Sequence, residues 1–305
     1  MNVTSANITM VTSYRDSFVK AVTKNVVVVI LGFFIIYISA NIIHTFRNHQ
    51  IFYMSPRYIL FIHLVVNDMI QLTLTLVLFL LSYIIYKINV PICCVLTLLA
   101  IFTTENTPLN LACMAVECYI AICLPLRHSQ ICTVRRTLML IGLIWIRSMC
   151  FTFPDLFFTL ATESITFFKS KVFCVRETIF PSPHLIRKRD IINIVYLITI
   201  SLTIAYTYFR ILFTAKSAKE GAKKARNTIL LHGFQLLLCM GAYVTPLLKP
   251  ALKEWFPENY PDSLFACYII VQILPRSISP IIYGIRDNTF RRYIRKQLLC
   301  KGNIQ

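Results

Sequence analysis

Five ionisable residues stand in stretches of this chain that are otherwise nearly free of charge: Asp68, Glu105, Arg147, Asp155 and Arg276. A carboxylate or guanidinium kept among apolar neighbours has three outlets: it pairs with an opposite charge, binds a polar ligand, or gives up its charge. Glu105 carries the most information. Ile101, Thr104 and Glu105 are spaced i, i+3 and i+4, which puts them on one face of a helix. Arg147, Arg276 and a bound polar ligand are all candidate partners for the Glu105 carboxyl, and a path for an ion or substrate through Glu105, Arg147, Asp155 and Arg276 is a fourth possibility.

The elements that must position these groups are long apolar runs, at 25–46, 58–83, 92–116, 138–161, 191–209, 227–248 and 263–285. Each is close to or longer than the roughly 20 residues a helix needs to cross a hydrocarbon layer of about 30 Å. They are apolar on every face, whereas a membrane strand would alternate, so the expected fold is an all-α membrane protein, a bundle of seven transmembrane helices. The composition agrees: 57% of the 305 residues are hydrophobic and 14% are charged. A soluble domain carries about a quarter charged residues, which argues against a soluble or nucleic-acid-binding protein.

An odd number of crossings puts the two chain ends on opposite sides. With the start of the chain outside, the inner segments hold seventeen Lys and Arg against Glu117, Glu220 and Asp287, while the outer segments hold twelve against seven acids. The positive-inside rule therefore favours an outside N-terminus. The sequons at Asn2 and Asn7 agree with a lumenal tail over 1–24. The first apolar run starts late and is long, so it is expected to insert the chain itself rather than act as a cleaved signal. After the seventh run, residues 286–305 place Phe290, Tyr293, Ile294 and Leu298 on one side and Arg291, Arg292, Arg295 and Lys296 on the other. That is the pattern of a short amphipathic helix lying on an anionic inner leaflet, with Cys300 next to it as a palmitoylation candidate.

At the end of the third run the chain reads Met114-Ala-Val-Glu-Cys-Tyr-Ile-Ala-Ile-Cys-Leu-Pro-Leu-Arg-His128. This run resembles the M-A-x-D-R-Y-x-A-I-C-x-P-L-x-Y signature of odorant receptors, a branch of the rhodopsin-like G-protein-coupled receptors. The likeness extends through Ser55-Pro56-Arg57-Tyr58, Asp68, Thr207-Tyr208, Lys224-Ala225 and Ser279-Pro280-Ile-Ile-Tyr283, and is greatest to the fish subfamilies.

The resemblance implies a receptor of the plasma membrane, in olfactory cilia, that binds a small-molecule odorant inside the bundle and activates a stimulatory olfactory-type heterotrimeric G protein. It assigns Ile101, Thr104, Glu105 and Tyr243 to the ligand cavity. Glu117, Cys118, Tyr119, Tyr208 and Tyr283 fall to G-protein coupling, and Asn41, Asp68 and Ser279 to a polar cluster that binds sodium or water. On the same grounds Cys93 at the outer tip of helix three pairs with Cys174 of the second outer loop; from the residues alone, Cys94 is an equal candidate.

Two positions depart from the family pattern. Cys118 stands where most members have arginine, and Ser279 where most have asparagine. Cys118 is an uncharged weak donor, which leaves Glu117 to pair with a loop base such as Arg127 or to rest in the headgroup layer. Ala100 in place of an aspartate disfavours an amine ligand, and the lack of lysine over 263–285 excludes a retinal Schiff base. No enzymatic activity, cofactor, metal or nucleic acid is called for. The other readings are a polytopic transporter or channel and a non-olfactory rhodopsin-like receptor.

Overall fold

The computed structural model describes residues 17–214, 221–278, 280 and 290–293. Six long helices, Phe18–Asn48, Pro56–Ile84, Val90–Cys123, Val134–Thr162, Pro183–Thr214 and Gly221–Trp255, and a seventh over 260–278 cover the seven apolar runs. The first five are each long and apolar enough to cross a membrane unaided, and the sixth contains the apolar stretch Ile229–Thr245.

Their ends follow local rules. Pro56, Pro91 and Pro183 sit in first turns, where a missing N–H costs nothing. The Thr133 side chain accepts the Arg136 amide at the start of the fourth span. The first helix begins at Phe18, so the tail expected over 1–24 is shorter than drawn. The physical reason is that Lys20 and Lys24, one turn apart, both reach Asp262 at the head of the seventh span, 3.0 and 2.7 Å away. Their charges are thereby accommodated in a helix. The fifth helix likewise starts at Pro183 rather than 191, which brings Arg187 to Asp190 into it. Asn2 and Asn7, Ser279, Tyr283 and Cys300 lie outside the described residues, as does most of the helix expected over 286–305.

The third span is the axis of the bundle. Of its most apolar window 61% is buried, against 22% to 39% in the other four spans of this class. Large side chains such as Phe33, Phe34, Leu143, Ile146, Leu202 and Leu237 point outward. In water such a surface would drive association, whereas in a bilayer it is the correct solvent match.

Three cores fill the described interior, one of them Val28, Ile35, Leu72, Leu76 and Ile273 between the first, second and seventh spans. The largest, at the end where the third span finishes, joins Leu64, Leu111, Ala115, Cys118, Ile204, Ile211, Ile229 and Phe290. Phe290 is fully buried, with its ring 4.6 Å from Phe52, while Arg291 and Arg292 are exposed. The apolar side of that segment therefore packs on protein. The third core, at the opposite end, joins Val90, Cys93, Ile101, Ile179 and Phe180. Here the segment between the fourth and fifth spans folds inward: Lys171 and Val172 pair with Asn89 and Ile88, and the Cys93–Cys174 disulfide ties it to the third span.

The seventh helix contains a π turn at Ile269–Ile273. Such a turn disturbs the regular carbonyl ladder. The Arg276 guanidinium, 3% exposed, donates to the Val271 carbonyl at 2.7 Å.

Candidate functional site

The third span contains Pro108 in its interior. Proline lacks an N–H, so the Thr104 carbonyl loses its usual helical donor and the helix bends there. Two tyrosines from other helices supply donors at this point. Tyr243 of the sixth span donates to the Thr104 carbonyl at 3.5 Å, and Tyr196 of the fifth donates to the Glu105 carbonyl at 2.7 Å. The backbone around Glu105 is thus held by three helices. Thr104 also accepts a 2.6 Å hydrogen bond from Gln71 of the second span through its hydroxyl.

Around this scaffold lies a set of buried charges. The Glu105 carboxylate is 3.6 Å from the Arg147 guanidinium, and Arg276 is engaged with its own helix, so of the two internal candidates Arg147 is the partner. That guanidinium lies 3.7 Å from the Tyr196 ring centroid and 4.9 Å from that of Phe151, a cation–π stack that fixes its plane. About two turns further along the fourth span than Arg147, Asp155 faces Arg189 at 3.7 Å. Both separations permit ion pairing but are too long for hydrogen bonds. Arg176, from the tethered loop, lies close enough for Glu105, Asp155 and Arg189 all to act on it. Burial, followed by the like charge of Arg189, pushes its guanidinium down to about 10. Ile101 is buried against Ile179 and Phe180, the floor of the loop.

Of the ligand residues expected from the sequence, Ile101, Thr104, Glu105 and Tyr243 are therefore brought together at one level of the bundle. Tyr196, Arg176 and Arg189 belong with them and were missed. Pro108 is the signal that could have led to Tyr196, because a proline inside a span demands donors from its neighbours. Nothing in the sequence pointed to the loop arginines.

Of the polar cluster, Asn41 and Asp68 are described and Ser279 is not. Asn41 donates to Tyr37 of its own helix and does not join Asp68 among the hydrogen bonds of the described residues. The network runs between the second, third and fourth spans: Asn67 donates to the Thr103 carbonyl and the Thr107 hydroxyl, Thr107 to Asp68, and Ser148 to Asn106 at 2.7 Å. The physical reason is helix rotation. A single asparagine does not reveal which way its helix is turned, and the first span presents Ile35, Ser39 and Ile42 inward instead.

At the other end Glu117 pairs with His128 Nε2 at 3.1 Å rather than with Arg127. His128 lies on the short helix Pro125–Ile131, so the pair clamps that helix to the end of the third span. Cys118 is 5% exposed within the largest core and presents no charge. Tyr119 is half-buried beside Tyr206, Tyr208 packs on the same core, and Cys123 reaches the Thr214 hydroxyl at 3.4 Å, joining the third and fifth spans. Among the described residues no group of three or more His, Cys, Asp or Glu could hold a metal ion.

A family model described as the 7 transmembrane receptor (rhodopsin family) matches residues 42–283. The chain is 28% identical to "Odorant receptor 131-2" of Danio rerio over 212 residues, covering 68% of this chain and 64% of that protein. That alignment thus spans just under two thirds of the zebrafish receptor. The chain is 24% identical to human "Olfactory receptor 13J1" over 68% of each, and 24% identical to mouse "Olfactory receptor 5P52" over 89% of this chain and 90% of that one.

Proposed function

The chain belongs to the rhodopsin family of seven-transmembrane receptors, and from that premise we propose that it is an odorant receptor. In this reading a small molecule enters the bundle from the disulfide end, which faces outside together with the N-terminus, and contacts Ile101, Thr104, Glu105 and Tyr243. Its preference for one arrangement of the helices shifts the population toward an active state. The opposite end, around Glu117, Cys118, Tyr119, Tyr208 and Tyr283, then meets a stimulatory olfactory-type heterotrimeric G protein. The receptor works in the plasma membrane of olfactory cilia. Glycans on Asn2 and Asn7, palmitate on Cys300, and ion or water binding at Asp68 with Ser279 complete the proposal.

The observation that carries the ligand-binding part is the Glu105–Arg147 pair, held in the apolar interior at a level where five helices converge. Ionisable groups at such depth are retained for function far more readily than for stability. The names of the matched relatives support the choice of odorants. The sixth span, which Pro246 and Pro250 would bend, supplies the lever in this scheme.

The test is expression of the full chain with a stimulatory G protein and measurement of cAMP across an odorant panel. Evoked cAMP that requires the G protein supports the reading. Solute flux without any G protein would point to a transporter instead and overturn it.

A further inference from the structure

The buried charges at the disulfide end do not balance. Glu105 and Asp155 contribute two negative charges; Arg147, Arg176 and Arg189 contribute three positive ones, and Glu105 feels all four of the others. Glu177, Lys188 and Asp190 lie nearby but are exposed, where water screens them. Both carboxylates are already occupied, each by one arginine, at ion-pair rather than hydrogen-bond distance. The charge left over is positive, and Arg176 carries it. Arg176 Nε is shut off from solvent without a hydrogen-bond partner, and no carboxylate among the described residues lies at ion-pair distance from Arg176; Arg147 Nη1 and Arg189 Nη1 also make no hydrogen bond, but they face Glu105 Oε2, itself without one, and Asp155 Oδ2.

A charged donor buried without an acceptor is costly, and Arg176 is the guanidinium for which the cluster holds no carboxylate of its own. Guanidinium groups are suited to one class of guest in particular, since their planar forks match a carboxylate with two parallel hydrogen bonds. The Arg147 fork is pinned by the Tyr196 and Phe151 rings, so its orientation is set before anything binds. Arg176 and Arg189 repel each other across the same space. An anion between them would relieve that repulsion.

We propose that this cluster is a binding site for a small organic monoanion, an aliphatic carboxylate, whose head is taken by Arg147, Arg176 and Arg189. The surplus of one positive charge selects a monoanion over a zwitterion, because a zwitterion would leave that surplus uncompensated. Ile101, Ile179 and Phe180 give the tail an apolar wall. Arg176 and the two wall residues Ile179 and Phe180 belong to the loop that the disulfide tethers, so the site is complete only with that loop in place. The assignment names the ligand class for the receptor reading above and rests on that reading for its signalling consequence, but the binding itself is measured separately.

The experiment uses purified full-length protein in lipid nanodiscs. Its melting temperature is followed against straight-chain carboxylates from acetate to octanoate, each compared with its methyl ester at matched ionic strength. At least one carboxylate is expected to raise the melting temperature by several degrees while its ester leaves it unchanged. Arg176→Gln and Arg189→Gln should each weaken the carboxylate effect about tenfold or more. Arg176→Gln should also hold or raise the ligand-free melting temperature, since it removes a like-charge contact; a purely structural arginine would lower it. Esters as effective as the acids, no response to any carboxylate, or a response unchanged in both variants would overturn the anion site. Carboxylate binding without G-protein nucleotide exchange would leave the site standing and sink the receptor reading alone.

Discussion

The Tyr196 hydroxyl donates at 2.7 Å to the Glu105 carbonyl, and the face of the same tyrosine carries the guanidinium that pairs with the Glu105 carboxylate. One side chain from the fifth span therefore holds both the backbone and, through Arg147, the charge of Glu105. Tyr196→Phe keeps the ring and removes only the hydroxyl, so it should cost about 1 kcal/mol, read as a small fall in melting temperature. Tyr196→Ala also frees Arg147 and should cost several times more.

Glu105 and Arg147 should behave as a coupled pair. Glu105→Gln or Arg147→Gln alone leaves the other charge buried without its partner and should destabilise by about 3 to 5 kcal/mol. The double variant should lose clearly less than the sum of the two. A double-mutant cycle on surface expression and thermal stability measures this, and strict additivity would show that the 3.6 Å contact carries no energy.

The disulfide closes a segment of 81 residues onto the third span. Cys93→Ser or Cys174→Ser should destabilise by about 2 to 5 kcal/mol and release the loop that carries Ile179 and Phe180. Cys94 is a free, half-buried thiol, so Cys94→Ser should leave the melting temperature nearly unchanged. Differential scanning fluorimetry with and without reductant separates the two outcomes.

His128 holds Glu117 where an arginine neighbour is absent. His128→Ala should free the helix Pro125–Ile131 from the third span and raise basal nucleotide exchange on a G protein, with a stability loss of no more than about 1 kcal/mol, as the histidine is partly exposed. Cys118→Arg tests the neighbouring position. Because Cys118 is buried in a filled core, the larger side chain should lower stability by about 1 to 3 kcal/mol as well as change basal cAMP. Equal stability in the variant would show that this core yields readily.

Asp262 receives Lys20 and Lys24 at the mouth of the bundle. Its carboxylate is 41% exposed, which limits its worth, so Asp262→Asn should cost about 1 kcal/mol or less at low salt and still less at high salt. A loss that does not respond to salt would mean that the aspartate acts through packing instead.

Much of the molecule can be read from the chain because the relevant physics is local. The seven spans follow from run length alone, and Ile101, Thr104 and Glu105 share a face because helical spacing demands it. The ends of the first and fifth spans were placed too late because lysines and arginines look like loop residues until their partners are known. Lys24 is buried and belongs to the helix, and a partner for it, Asp262, stands more than two hundred residues away.

The sequence by itself determined that this is a seven-helix membrane protein with charges inside it, because the length and polarity of each run are properties of that run. Which charge meets which was decided only by the tertiary structure: Glu105 with Arg147 rather than Arg276, Glu117 with His128 rather than Arg127, Arg176 folded inward from a loop. Pairing energies depend on separation and burial between elements far apart in the chain, and neither exists until helix rotation, the bend at Pro108 and the Cys93–Cys174 tether have set them.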